Sequence, residues 1–298
     1  MKVSYGVLLK LGSTLSFSLM YAAVKLAGHV PVGEVIFFRC FFALVPLFAL
    51  SFFTTGPHAV IRTSRPLFHV LRSAAGTGAM FLNFAALALL PLADLTAFSF
   101  VAPIFAVVLA AVLLHESVGA FRWGAVLMGF AGVLVMIQPH GGLVRIAARG
   151  FSIGAGLALL AALLTALVVV FIRQMSATER SETIVFYFMA TCSVAGAVTI
   201  PFSHVTLSET QIAWLICSGL VGGIAQILMT YCYRYAEPSL LAPFDYMAML
   251  WAAALGYLIF EEVPEAGVMA GAGVVIAAGL FIVWHERHIL RERRMRTV

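Results

Sequence analysis

One acidic side chain lies inside an otherwise apolar stretch of the chain. Asp245 stands in the segment APFDYMAMLW, residues 242–251. A carboxylate at this depth in a membrane costs up to about 3 kcal/mol on insertion scales unless it is paired or hydrated. Lys10 is predicted at the same depth and is therefore an available partner. Three interpretations stay open: a fixed ion pair, a carboxylate that titrates or contacts a substrate, and an aspartate that reaches headgroup water.

Three basic residues also lie within apolar runs. Lys10 has a long stem and could reach the cytoplasmic interface without a partner. Arg39 lies too deep to be an orientation signal, and its guanidinium suits carboxylate or phosphate groups. Arg39 therefore either contacts an anionic group of a substrate or pairs with Glu34 or Asp94. Arg72 lies near the inner face, where its side chain can reach the interface, so the sequence assigns it no role.

Polar and small residues recur at helical spacing in three of the apolar runs. They are Lys10, Thr14, Phe17, Ser18, Tyr21 and Lys25 in the first run, Arg72, Gly76, Ala79, Met80 and Asn83 in the third, and Gly219, Gly223, Gln226 and Thr230 in the eighth. These stripes either line a binding site or make close helix contacts and interhelical hydrogen bonds.

Aromatic side chains on or beside these stripes could stack on a planar ligand. Trp251, about 240° around a regular helix from Asp245, is placed away from the site. The predicted substrate-binding or coupling residues are Asp245, Lys10, Arg39, Phe17, Tyr21, Asn83, Phe98, Gln226, Thr230 and Tyr246.

The elements that position these residues follow from composition. Hydrophobic residues make up 62% of the 298 positions, charged residues 10%, and the mean hydropathy is +1.04. These values are typical of an integral membrane protein. Ten continuous apolar runs predict ten membrane-spanning helices. The runs are roughly 5 to 27, 33 to 53, 67 to 89, 93 to 114, 121 to 138, 150 to 172, 182 to 202, 211 to 234, 240 to 260 and 265 to 284.

Lysine and arginine predict the orientation, because they concentrate in loops on the side of the amino terminus and in the tail HERHILRERRMRTV. Both termini are therefore predicted to be cytoplasmic, in an inner (plasma) membrane protein. The first run is interpreted as a retained helix rather than a signal peptide. The basic tail is interpreted as an orientation signal on anionic lipid, not as a nucleic-acid site. The four cysteines show no paired spacing, so neither a disulfide framework nor a metal site is expected.

An internal repeat relates the two halves of the chain. Glu34 matches Glu182, Gly76 matches Gly223, Pro91 matches Pro238 and Glu116 matches Glu262, all at an offset of about 147 residues. Five helices is an odd number, so the second copy must enter the membrane from the opposite face. The predicted units are residues 1–140, residues 141–285 and a cytoplasmic tail, 286–298. Such inverted repeats are typical of alternating-access carriers.

The chain resembles the EamA group of the drug/metabolite transporter superfamily. The resemblance lies in two repeats whose fourth helices, FSFVAPIFAVVLAAVLLHES and LLAPFDYMAMLWAAALGYLIFEEV, each end in glutamate. It implies a central cavity lined by helices 1 to 4 and 6 to 9. One departure is Met249, which replaces the proline expected opposite Pro103, with Pro243 as the available substitute.

These features predict a secondary transporter of a small organic metabolite, such as an amino acid, a nucleoside-like or a vitamin-like compound. A proton is one candidate coupling ion, and no cofactor is expected. The alternatives are a non-transporting scaffold or sensor and a lipid-modifying membrane enzyme, although the scattered histidines disfavour an enzyme. A GxxxG motif, Gly267 to Gly271, is a weak sign of dimerisation, so a monomer or weak homodimer is expected.

Overall fold

The computed structural model describes residues 2–54, 56–89, 98–99, 101–137, 153–202, 205–261 and single positions between 270 and 281. All regular elements in these ranges are helical. Asp94, Glu262, the segment 141–152, most of the GxxxG motif and the tail 286–298 lie outside the described residues.

The helices follow the predicted apolar runs. They are α1 (Lys2–Ala27), α2 (Val32–Thr54), the short α3 (Pro57–Ile61), α4 (Pro66–Leu89), α5 (Ala102–Leu113), α6 (Ala120–Ile137), α7 (Ile153–Met175), α8 (Ser181–Thr199), α9 (Glu209–Tyr235), the single turn α10 (Pro238–Leu241) and α11 (Met247–Phe260). A 3₁₀ segment, Ala242–Tyr246, joins α10 to α11.

Six spans in the described part of the chain are long and apolar enough to cross a membrane. They are Ser4–Ala27, Val32–Thr54, Ile153–Met175, Ser181–Phe202, Glu209–Tyr235 and Ala242–Phe260. Two shorter apolar helices cover Ala102–Leu113 and Trp123–Gly132. The lengths agree with a hydrocarbon core of about 30 Å.

The contacts between helices show the direction in which each one runs. The helices α1 and α9 are antiparallel, because Gly6 contacts Ala236 at one end of the pair and Ala27 contacts Gln211 at the other. The helix α9 runs parallel to α2, because Val35 lies near Leu215 whereas Ala43 lies near Gly223.

The remaining directions follow in the same way. The helix α2 is antiparallel to α8, which joins Gly33 to Thr199 and Phe48 to Phe186. In turn α8 is parallel to α4, and α4 is antiparallel to α7. The first helices of the two halves, α1 and α7, therefore run in opposite directions, as the inverted repeat requires.

The internal repeat relates α1 to α7, α2 to α8 and α4 to α9, and the main interfaces between these helices are related in the same way. Contact of α1 with α9 corresponds to contact of α7 with α4, and contact of α2 with α9 corresponds to contact of α8 with α4. Gly76 in α4 and Gly223 in α9 occupy matching places: an added Cβ would lie 2.6 Å from Phe188 in the first case and 2.7 Å from the Ala43 carbonyl in the second. Each glycine thus permits close approach at its own copy of one interface.

The fourth helices of the two halves end in the same way. His115 has φ 54° and Glu261 has φ 56°, the left-handed conformation, at positions 146 residues apart. Neither is glycine, so each carries the conformational cost of a Cβ in this region. The shared local geometry supports the repeat at the level of single residues.

Candidate functional site

Lys10 and Asp245 form a close ion pair between α1 and the ninth membrane span. The Lys10 Nζ lies 2.6 Å from the Asp245 Oδ1, and the side chains are 3% and 35% exposed. Lys10 also donates a hydrogen bond of 3.0 Å to the hydroxyl of Tyr233 in α9. The ammonium is buried and needs these partners, whereas the carboxylate retains access to water. Equal depth in the sequence anticipated the contact, but Tyr233 was not anticipated.

An irregular backbone positions Asp245. The sequence predicts a regular helix here, but residues 242–246 are 3₁₀ and the α-helix starts only at Met247. Pro243 cannot donate a backbone hydrogen bond and so interrupts the α-helical pattern. Asp245 consequently sits where the tighter turn passes into the long helix.

The polar stripe of α1 faces the ninth span along much of its length. Trp251 donates its Nε1 proton to Thr14 Oγ1 at 3.1 Å, and Ser18 donates to the Ala248 carbonyl at 3.4 Å. The structure therefore brings Trp251 to the stripe from which the sequence excluded it. The exclusion assumed 100° per residue from Asp245 onward, and this angle does not hold through a 3₁₀ segment.

The site that is equivalent by the internal repeat is apolar. Shifting Lys10, Tyr233 and Asp245 by 147 residues gives Leu157, Ala86 and Phe98. Phe98 and Leu157 pack with Ala86 and Ala158 in one hydrophobic cluster. The two copies of the interface thus differ: one is closed by an ion pair and the other by a dry contact. Phe98, one of the predicted site residues, belongs to the dry contact.

The predicted residues of α2, α4 and α9 form no hydrogen bond or ion pair with Lys10 or Asp245 in the described part of the chain. Gln226 and Thr230 are buried, and Thr230 donates to the Gln226 backbone carbonyl at 2.9 Å. The Gln226 Nε2 is buried with no hydrogen-bond partner among the described residues. Arg39 and Asn83 are half-buried, and the Arg39 Cγ lies 3.7 Å from the Cβ position of Gly222 in α9.

The predicted aromatic residues differ in their surroundings. Tyr21 is 63% exposed, about 220° around α1 from the exposed Leu8 at 100° per residue. Phe17 is half-buried. Tyr246 is buried in the contact with α6, where its ring packs over Gly129, and so belongs to packing rather than to the face of Asp245.

A polar cleft opens at the end of the bundle where α5 and α7 end and α10 begins. It has a volume of about 400 Å³ and is lined in part by Glu116, Arg173 and Glu237. Arg173 donates a 2.8 Å hydrogen bond to the backbone carbonyl of Tyr233, which connects the cleft to the residue that holds Lys10.

A second polar network joins the loops before α4 and α8. The Glu179 carboxylate accepts hydrogen bonds from Thr63 at 3.0 Å and from the backbone and side chain of Ser64 at 2.9 Å and 2.8 Å. Burial alone would raise the pKa of Glu179, but these hydrogen bonds and the nearby His69 outweigh it and lower the pKa below its ordinary value.

Metal-binding clusters are absent from the described ranges, where no three His, Cys, Asp or Glu side chains come together. The four cysteines are free thiols.

Comparison with known proteins identifies relatives along the whole chain. The S-adenosylmethionine uptake transporter of Rickettsia prowazekii (strain Madrid E) is 28% identical over 257 residues, which is 85% of this chain and 83% of that protein. The pseudopaline exporter CntI of Pseudomonas aeruginosa (strain UCBPP-PA14) is 28% identical and covers 92% of this chain and 94% of its own. The riboflavin transporter of Rhizobium johnstonii is 27% identical over 95% of this chain and 89% of that protein.

The fold also matches that of a protein of known crystal structure, with a TM-score of 0.84 over 96% of this chain and 99% of that one at 20% identity. Residues 4–138 and 152–284 each match the EamA-like transporter domain. Two such domains confirm the all-helical membrane architecture of about ten helices with inverted repeats, and they indicate a transporter rather than an enzyme. The chain is a multi-pass membrane protein that belongs to the EamA-like transporter family.

Proposed function

We propose that the protein is a secondary carrier that moves a small organic metabolite across the inner (plasma) membrane by alternating access. The metabolite is an amino acid, a nucleoside-like or a vitamin-like compound. Relatives that take up S-adenosylmethionine and transport riboflavin support this range. Both termini are cytoplasmic, and the halves 1–140 and 141–285 rock against each other around the solute.

The observation that carries the proposal is the ion pair between the inverted halves. Lys10 belongs to the first half and Asp245 to the second, and their charged atoms are 2.6 Å apart near the cytoplasmic side. Rocking that opens this side must break or displace the contact. At the repeat-related place the contact is the apolar cluster around Phe98. One gate is therefore sensitive to charge and the other is not.

Asp245 is the residue that exchanges a proton with the cytoplasm in this scheme. Its side chain is one-third exposed and pairs with Lys10, and the other titratable groups among the described residues that interact electrostatically with it are Tyr233, Cys232 and Tyr246. Protonation of Asp245 removes the charge that holds the buried Lys10 ammonium. Loss of that attraction favours separation of the halves and couples proton binding to opening.

The test begins with a thermal-shift screen of a metabolite library on the purified protein, since a ligand of the folded state raises the melting temperature. Flux of each stabilising compound is then measured in proteoliposomes with and without a proton gradient. Both directions are assayed, because the relatives include an uptake transporter and an exporter.

The Asp245→Asn variant is expected to lose proton-driven flux. Ser16→Ala is the control, because Ser16 bonds only to the Gly12 carbonyl of its own helix. Full activity of Asp245→Asn with an unchanged pH profile would remove this carboxylate from the mechanism. Binding without flux for all stabilising compounds would instead favour a scaffold or sensor.

A further inference from the structure

Arg72 is a buried cation with no polar partner among the described residues. It is the seventh residue of α4, about 9 Å along the helix from its cytoplasmic start. Its side chain is 0% exposed, and Nε, Nη1 and Nη2 form no hydrogen bond. The sequence suggested that this side chain could reach the membrane interface, but the structure turns it inward.

A buried charge without hydrogen-bond partners is energetically unfavourable. Removing a guanidinium from water costs several kcal/mol unless hydrogen bonds and an opposite charge compensate for it. No described Asp or Glu forms an ion pair with Arg72. Its one strong contact is the ring of Phe188 in α8, whose centroid lies 3.7 Å from the guanidinium carbon. This contact engages the flat face of the group and leaves the N–H donors at its edge unused.

A second cation increases the positive potential at this place. Arg39 in α2 and Arg72 in α4 both act electrostatically on the thiols of Cys40 and Cys192. Cys192 also makes a 3.1 Å hydrogen bond with Thr77, one turn beyond Arg72 on α4. The helix α8 packs against both α2 and α4, so Arg39 and Arg72 lie on the two first-half helices that contact it at the junction of the two halves.

We propose that Arg72 binds a carboxylate group of the transported solute, with Phe188 orienting its guanidinium and Arg39 adding attraction. A planar guanidinium presents a pair of parallel donors that match a carboxylate. The proposal rests on the carrier function proposed above, and it adds that the solute is a carboxylate-bearing compound. The anion supplies the hydrogen-bond acceptor that Arg72 lacks among the described residues.

The direct test uses acetate as the probe and acetamide as its neutral counterpart. Thermal unfolding of the purified full-length protein is followed at increasing acetate concentration, with equal additions of sodium chloride as the ionic-strength control. Acetate is expected to stabilise the wild type, and acetamide and chloride are not. In Arg72→Met the dissociation constant for acetate is expected to rise about ten- to a hundred-fold.

Arg65→Met is the matched control. Arg65 also lies over an aromatic ring, that of Phe68 at 5.6 Å, but it is exposed at the start of the same helix. This variant is expected to keep the acetate response. Arg72→Met itself is expected to fold, because an apolar side chain removes an uncompensated buried charge. If it does not fold, Arg72→Lys is used, which keeps the charge but loses the paired donors and is expected to weaken acetate binding.

The outcomes separate this inference from the carrier function. Equal stabilisation by acetate, acetamide and chloride, or an unchanged acetate response in both Arg72 variants, overturns the carboxylate site even if solute flux is found. Loss of the acetate response in Arg72→Met supports the site even if no flux is found. Where flux is found, the variant is expected to raise KM for carboxylate solutes and to leave KM for neutral solutes unchanged.

Discussion

Removing either member of the pair between Lys10 and Asp245 should destabilise the protein to different extents. The Asp245→Asn variant leaves the ammonium of Lys10 buried without a counter-charge, because its partners among the described residues are then neutral acceptors, the Tyr233 hydroxyl and the amide oxygen at position 245. The Lys10→Met variant leaves a carboxylate that is 35% exposed and can be hydrated. We therefore expect the aspartate substitution to cost more, although both changes delete the same contact.

The magnitude follows from burial. Breaking a buried pair so that one charge is left alone costs about 3 to 5 kcal/mol. The partial exposure of Asp245 favours the lower end of this range, about 3 kcal/mol, for Asp245→Asn. Lys10→Met should cost about 1 kcal/mol, the net contribution of a hydrogen bond to a group that water can reach. The double variant should resemble Lys10→Met alone, which makes the coupling about 3 kcal/mol.

The assay is a double-mutant cycle on the free energy of unfolding in detergent micelles, followed by tryptophan fluorescence. Ser16→Ala serves as the control on the same helix and should lie within about 0.5 kcal/mol of the wild type. A surface pair would give a coupling of only about 0.2 to 1 kcal/mol. Losses that add within about 0.5 kcal/mol, or a larger loss for Lys10→Met than for Asp245→Asn, would refute the reasoning from burial.

Three further predictions concern the helix packing, the helix ends and a loop network of the bundle. Gly223→Ala should destabilise the protein by about 1 to 3 kcal/mol, because the new Cβ would lie 2.7 Å from a backbone carbonyl of α2. Gly222→Ala should be tolerated in the same thermal unfolding assay, because its Cβ would meet flexible side-chain atoms, those of Met20 at 2.9 Å and of Arg39 at 3.7 Å. His115→Gly and Glu261→Gly should each stabilise by about 1 kcal/mol by removing a Cβ from a left-handed residue, and unchanged or lower melting temperatures would count against this. Glu179→Gln should lower stability at neutral pH; because the folded-state pKa of Glu179 is depressed, the wild-type advantage should be complete above the unfolded-state pKa of about 4.3 and disappear as the pH falls through the folded value. A constant difference between the two proteins across that range would show that the hydrogen bonds to Glu179 do not carry the effect.

Much of the architecture can be predicted from the sequence, because it depends on local and periodic properties. Apolar runs of about 20 residues define helices that cross a membrane, since no other open backbone arrangement satisfies its hydrogen bonds there. A repeat of five helices must be inverted because five is odd. The matching left-handed residues His115 and Glu261 show that the repeat extends to local backbone geometry.

The candidate site was predictable only in part. The proximity of Lys10 and Asp245 could be predicted because both lie at equal depth in their helices, and depth can be counted in residues from the end of each run. Depth says nothing about which side of a helix faces a neighbour. Nothing in the sequence therefore indicated that Tyr233 accepts a hydrogen bond from Lys10, apart from the presence of a polar hydroxyl in an apolar run. The 3₁₀ segment at Pro243 changed the rotation per residue around the helix axis and so brought Trp251 to α1.

The sequence by itself determined the number of helices, their opposite insertion and the depth of the charged residues, because each of these is a property of position along the chain. The tertiary structure alone decided which of those residues meet. Arg72 stacks on Phe188 and Tyr246 packs over Gly129 because helices approach laterally wherever small residues permit. That lateral packing joins residues far apart in sequence, and no linear pattern encodes it.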